Sequence, residues 1–189
     1  MAGYRRQAGI LETPIGSGRL ACRAGETRPA GDRCHVSQPA VLFVCLGNIC
    51  RSPMAEAALR KLSWDAGLAI TVDSAGTGDW HIGQPPDKRA QLVALEHGVD
   101  ISGYRARQVT SQDFLRFDHI MALDPQNLFD LKAIAPNRHA ARLELLMDMV
   151  PGRKGTAVPD PYYGDEDEFR AAWDDVAAAA TALVERLRD

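Results

Sequence analysis

Val41-Leu42-Phe43-Val44 is an unbroken apolar run, and the next stretch that can be helical begins only at Ser52-Pro53. A continuous apolar strand of this kind is covered on both faces, which is the habit of parallel sheets rather than of one-sided antiparallel ones. Further along, strand-like and helix-like patterns alternate. The spacing predicts a helix from Ser52 through Trp64, with Ala55, Ala58, Leu59 and Leu62 on one buried face and Gly67 ending it. Ile70-Thr71-Val72 reads as a second strand, and Asp87 to His97 as a helix closed by Gly98 that carries Ala90, Leu92, Val93 and Leu95. A short helix around Ser111–Phe117, a strand over His119–Leu123 and a helix from Pro125 capped by Asp124 follow. A strand over Arg142–Leu146, a Pro/Gly/Tyr-rich loop over 151–164 and a final helix over Phe169–Leu187 complete the pattern. Such alternation implies right-handed crossovers. The expected fold is α/β: three layers, a central parallel sheet of about four strands, and helices on both faces.

Residues 1–39 differ from the rest. Six glycines and three prolines interrupt any periodicity of 3.6 or 2, so this part reads as a flexible extension in front of one domain spanning 40–189. Charge follows the same division. Residues 1–40 carry six Arg against three acids, 41–159 carry thirteen charges of each sign, and 160–189 carry nine acids against three Arg. The folded part therefore has no basic excess with which to hold nucleic acid. Its apolar runs are far too short to span a bilayer. The four cysteines, Cys22, Cys34, Cys45 and Cys50, are too few for a disulfide-stapled secreted domain. Arg5-Arg6 has no apolar stretch behind it to make an export signal. A cytoplasmic protein is expected.

The chemistry concentrates in Cys45-Leu46-Gly47-Asn48-Ile49-Cys50-Arg51-Ser52-Pro53, where the first strand hands over to the first helix. Open α/β sheets bind ligands at such turns. A curled turn beside a helix N-terminus points several backbone N–H groups at one spot, which suits an anion. Gly47 is expected to supply a backbone conformation that other residues avoid, and Arg51 a planar fork for two phosphate oxygens. A cysteine at the base of such a nest is the kind of thiol that ionises near neutral pH. The Gly-Lys-Ser/Thr of a nucleotide-binding loop is missing, so ATP or GTP is not the expected guest. Attack on phosphorus also needs a proton donor for the leaving oxygen. Asp160, stiffened by Pro159 and Pro161 and followed by Tyr162-Tyr163, is the best candidate, although spacing alone does not single it out. Zinc binding by Cys45 and Cys50 lacks a second pair of ligands.

Val44 to Pro53, Ser74-Ala75-Gly76, Asp79-Trp80, Ala106-Arg107-Gln108-Val109 and Asp160-Pro161-Tyr162-Tyr163-Gly164 occur in the order seen in the low-molecular-weight protein tyrosine phosphatases, which the chain resembles from about residue 40 to its end. The resemblance implies hydrolysis of phosphotyrosine in proteins through a phosphocysteine intermediate, with no metal and no cofactor. It gives Cys45 the role of nucleophile, Arg51 that of phosphate clamp, and Asp160 that of general acid and then general base. Leu46, Gly47, Asn48, Ile49, Cys50 and Ser52 are implied at the substrate site, Asn48 and Ser52 also as polar residues that hold the loop and the thiolate, and Trp80, Tyr162 and Tyr163 at the rim that selects aromatic esters, with Leu46 and Ile49 lining it. Ser74 is implied as support beneath the loop, and Cys50 as a partner for Cys45 on oxidation. Many members carry His where Tyr104 stands, so the supporting network differs at that point. Trp64 and Trp173 read as packing, His97 as a helix C-terminal residue, and Asp165–Glu168 as the acidic first turn of the last helix. The implied partners are tyrosine-phosphorylated proteins, a tyrosine kinase among them, for a monomer or weak dimer that binds neither nucleic acid nor membrane. Two other activities fit the same fold. An arsenate reductase would need a further cysteine, and none follows Cys50. A phosphoarginine phosphatase tends to carry Thr where Ile49 stands.

Overall fold

The computed structural model describes residues 38–188, so the extension expected over 1–39, with Cys22 and Cys34, lies almost wholly outside the described residues. Strand β1 (Ala40–Cys45) occupies an interior position in a four-stranded sheet. Strands β2 (Thr71–Gly76), β3 (His119–Ala122) and β4 (Arg142–Leu145) complete it in the order β2-β1-β3-β4, with every pairing parallel. Period-2 alternation sorts the residues of β1 into two cores. Val41, Phe43 and Cys45 face a large cluster built with helices α1 (Arg51–Asp65), α2 (Lys88–Glu96) and α5 (Glu166–Arg188). Leu42 and Val44 face a smaller one with α3 (Asp113–Arg116) and α4 (Pro125–Ile134). The three-layer α/β arrangement expected from the sequence is the one observed.

The order places a switch point at the sheet's centre. The connection after β1 runs outward to β2, whereas the one after β3 runs the other way to β4. Their carboxyl ends diverge, leaving a crevice between the turn after Cys45 and the turn after Ala122.

Several elements depart from expectation. The first helix is not amphipathic in its N-terminal half: every residue from Arg51 to Leu59 is buried, because α1 is sandwiched between the sheet and α5. Trp64, expected to pack, is 73% exposed. It lies on the side of the helix opposite Leu62, which still packs on the core in the last turn. On α2, Ala90, Val93 and Ala94 are buried while Leu92 and Leu95 face solvent. Strand β2 runs to Gly76, four residues past its expected end, because its edge pairs with β1 as far as Cys45. Leu146 begins a 3₁₀ turn rather than ending β4. The last helix starts three residues early, with Glu166, Asp167 and Glu168 in its first turn, where acids suit the helix dipole. Trp173 packs as expected and stacks on His97, whose ring lies 4.5 Å away at the C-cap of α2.

Phe43 is fully buried at the centre of the larger cluster, so Phe43→Ala should lower unfolding free energy by about 3–5 kcal/mol in urea titrations. Phe129→Ala, at a largely exposed position of α4, should shift it by no more than about 0.5 kcal/mol.

Candidate active site

The loop from Cys45 to Arg51 folds over its own side chains. Asn48 is the non-glycine residue with positive φ among the described residues, at 55°. Asn tolerates this region better than most residues. The sequence reading gave that task to Gly47, and here it is corrected. Gly47 serves close approach instead, since a Cβ there would lie 2.9 Å from His81 Cδ2. Gly76, at the end of β2, is more constrained: a Cβ would come within 2.8 Å of the Leu46 carbonyl oxygen and 3.1 Å of the Asn48 nitrogen, both fixed backbone atoms. Gly78 N donates to Leu46 O and Thr77 N to Cys45 O, so the end of β2 clamps the loop's outer edge.

Cys45 Sγ lies 3.0 Å from Ser52 Oγ and accepts from the Asn48 backbone N–H at 3.3 Å. Beneath it, Asn48 spends both amide hydrogens, on Ser52 Oγ at 2.9 Å and Ser74 Oγ at 3.0 Å, while its Oδ1 accepts from Arg107 N. Ser74 Oγ in turn donates to Glu56 Oε2 at 2.6 Å. Glu56 is buried on α1, and burial pushes its carboxyl above the usual carboxylate range against the opposing pull of Arg60 and Ser74. Tyr104 is buried in the core beside α1 and α2. Asn48 and Ser52 therefore lie under the Cys45 sulfur and hold it; the cavity is lined by their neighbours.

That cavity, of about 310 Å³, is lined by Cys45, Leu46, Gly47, Ile49, Cys50, Arg51, Trp80, His81, Asp160, Tyr162 and Tyr163. The expected wall residues thus converge on one opening, although Asp160 is separated from Cys45 by more than a hundred positions. Trp80 lies against Gly78, where a Cβ would fall 2.3 Å from its ring, and Tyr162 and Tyr163 meet edge to face at 5.0 Å. The rim is aromatic on two sides.

Arg51 is buried at the cavity floor. Its NH1 donates to Asp124 Oδ2 at 2.7 Å and to Val158 O, and its NH2 to Asp160 Oδ2 at 2.6 Å. Its Nε is buried without a hydrogen-bond partner. A buried guanidinium N–H with no acceptor carries a desolvation penalty that a bound oxyanion would remove. The N-terminus of α1 beside it has no side-chain cap and no acid in its first turn, so its donors too are available to an anion. Cys45 and Cys50 are both free thiols. Burial, with Cys45 nearby, pushes the Cys50 thiol well above the ordinary range, so Cys50 stays protonated at neutral pH.

Over residues 40–189 the chain matches the family model described as low molecular weight phosphotyrosine protein phosphatase. A Streptomyces coelicolor low molecular weight protein-tyrosine-phosphatase is 45% identical over 154 residues, covering 79% of this chain and 93% of that one. The chain belongs to the low molecular weight phosphotyrosine protein phosphatase family. Among solved structures, a protein tyrosine phosphatase from Entamoeba histolytica superposes on this phosphatase with TM-score 0.75 at 38% identity, covering 79% of this chain and 97% of that one. A Drosophila arginine phosphatase gives TM-score 0.75 at 32% identity, covering 79% and 98%.

Five residues around this phosphatase's site are wholly or partly illegible in the sequence. Asp124 was read only as the cap of α4, which it is, accepting from Asn127 N at 2.7 Å, but its second oxygen holds Arg51. Glu56, His81 and the Asp87–Arg89 pair were not singled out. A lone acid between Ala55 and Ala57 in a helix of small residues was the available signal for Glu56. His81 and Arg89 had none.

Asp87 caps α2 and pairs with Arg89, whose side chain holds its carboxyl below the ordinary aspartate value. A depressed folded-state pKa stabilises the protein above the unfolded value of about 3.9 and is lost as pH falls below it. Asp87→Asn should therefore flatten the acid limb of the stability-against-pH curve while leaving the slope above pH 6 unchanged, as read by thermal unfolding at stepped pH.

Proposed function

We propose that this family member hydrolyses phosphotyrosine in proteins, with Cys45 as nucleophile, Arg51 as phosphate clamp and Asp160 as general acid and base. The observation that carries the reading is the convergence on one aromatic-rimmed cavity of a thiol that accepts from Asn48 N, a buried guanidinium with an unpartnered Nε, and a carboxyl at the mouth. The phosphate dianion sits over Cys45 between the loop N–H groups and Arg51. Cys45 attacks as thiolate, forming the S–P bond as the P–O bond to the phenol breaks. Arg51 and the loop donors stabilise the charge on the equatorial oxygens. Asp160 gives its proton to the leaving oxygen, then takes one from the water that attacks phosphorus, releasing inorganic phosphate and the thiolate.

The Arg51–Asp160 ion pair bears on this cycle. While Asp160 is ionised it occupies the NH2 group that faces the cavity. Once protonated it lets go, frees a donor for the phosphate and becomes the acid. A phosphate oxygen and the Asp160 carboxyl thus share one guanidinium donor. Asp124 remains as the fixed counter-charge.

A depth of cavity walled by Leu46, Ile49, Trp80, Tyr162 and Tyr163 suits a planar phenyl ester better than a charged guanidino group. We further propose that Cys50 resolves oxidised Cys45: a sulfenic acid on Cys45 would condense with the protonated Cys50 thiol, forming the S–S bond and releasing water. The working compartment in this reading is the cytoplasm, with tyrosine-phosphorylated proteins as substrates. No helix among the described residues is long and apolar enough to cross a membrane.

Hydrolysis of a phosphotyrosine peptide should proceed undiminished in EDTA. It should vanish in Cys45→Ser and slow by about 10² to 10⁴ in Asp160→Ala, as followed by phosphate release. Faster release from a phosphoarginine peptide than from its phosphotyrosine counterpart would overturn the substrate assignment. After peroxide, peptide mapping should find Cys45 joined to Cys50; sulfonate on Cys45 with Cys50 still free would remove the resolving role.

A further inference from the structure

Arg89 stands in the first turn of α2, where the helix dipole disfavours a cation. Its side chain is nevertheless tied on every side. Nε and NH2 reach the two carboxylate oxygens of Asp87 at 3.0 and 2.9 Å. NH1 donates to the carbonyl of Gly164 at 2.7 Å, and NH2 also to that of Tyr162 at 3.0 Å. The guanidinium plane lies 4.5 Å over the ring of Phe169, on the helix that follows. Two features show what this clamp connects. Asp87 N donates to Ile49 O at 2.8 Å, so the foot of the clamp stands on the nucleophile loop. At the other end, Tyr162 N donates to Asp160 Oδ1 at 3.2 Å, so the residue whose carbonyl Arg89 grips is the one whose amide orients the acid.

We propose that Arg89 is a positioning residue for proton transfer: it sets the 160–164 loop, and with it the Asp160 carboxyl, at a fixed place relative to the Cys45 loop. The proposal rests on the assignment of Asp160 as general acid given above. On its upstream side the loop is held where Val158 N donates to Leu123 O, at the end of β3. On its downstream side Arg89 fixes the two carbonyls that bracket Tyr163. Between these anchors Pro159 and Pro161 stiffen the chain, so a shift at Tyr162 is transmitted to Asp160 rather than absorbed. The task needs Arg. A lysine ammonium can reach one of these acceptors but cannot present a planar fork to a carboxylate and two carbonyls at once. A general acid displaced by an ångström loses much of its advantage while the nucleophile and the phosphate cradle keep theirs.

The position of the acid matters most when the leaving oxygen is strongly basic and least when it departs readily as an anion. The test compares Arg89→Lys and Arg89→Met with the wild-type full chain. The readout is kcat/KM on a series of aryl phosphates from phenyl phosphate to a strongly acidic fluorinated umbelliferyl phosphate. The expected result is a fall of about 10-fold or more on phenyl phosphate and under about 3-fold on the activated ester, with orthovanadate inhibition within about 3-fold of wild type. In an Asp160→Ala background, Arg89→Lys should add less than about 2-fold, because the group it positions is gone. An equal loss across the series, an additive effect in the Asp160→Ala background, or no loss in a folded variant would each overturn the proposal. So would failure of both variants to show a cooperative thermal transition, which would make Arg89 a folding residue. A wild-type chain inactive on every aryl phosphate would instead refute the enzymatic reading itself.

Discussion

A buried guanidinium organises this molecule. Arg51 enters the protein at the start of α1, where the helix dipole opposes it, and it is almost wholly removed from water. Such a charge persists only with partners in place, and the three come from two distant parts of the chain: Asp124 after β3, and the Val158 carbonyl and Asp160 in the loop before α5. Two of the three lie on segments that cross the open end of the sheet. Satisfying Arg51 thereby draws those segments over the end of β1 and closes the cavity above Cys45. One donor, Nε, is left without a partner.

Below the cavity a second polar system holds the sulfur. Ser74 donates to Glu56 and accepts from Asn48, whose other amide hydrogen goes to Ser52, and Ser52 Oγ lies within reach of both the Ala75 carbonyl and the sulfur. Since Ser74 gives its proton to Glu56, it can only accept from Asn48, and the other Asn48 hydrogen then goes to Ser52. A buried network that is satisfied throughout is rigid, and a rigid loop presents its N–H groups without having to reorganise when charge develops. Both Asn48 hydrogens are committed to serines and its oxygen to the Arg107 amide.

The parts of the site legible in the sequence were those whose chemistry is local. Cys45, Arg51 and the uncapped helix start sit within seven positions, and a short turn between a buried strand and a buried helix leaves few ways to arrange them. Gly47 shows the limit of the same reasoning. Glycine is the obvious residue for positive φ, yet the left-handed residue is Asn48, because its amide must turn inward to reach the two serines. The buried first half of α1 was misread for a related reason. Helical periodicity reports one covered face, and that helix acquires a second from α5, which lies more than a hundred residues later. Trp64 shows the converse, an apolar residue on the side of α1 opposite Leu62, which packs on the core.

By itself the sequence determined the strand-to-helix alternation, the parallel sheet and the place of the Cys45–Arg51 loop between a strand and a helix, since each follows from periodicity or from residues close together in the chain. What only the tertiary structure decided is which distant groups meet there. Asp124, Arg89 and Asp160 reach the site through crossovers and loop closures, and nothing in the spacing of these residues encodes which carboxylate will face which cation. That choice is made by the order of the strands, which brings the ends of β1 and β3 side by side and leaves a buried positive charge to collect its partners from whatever chain passes over them.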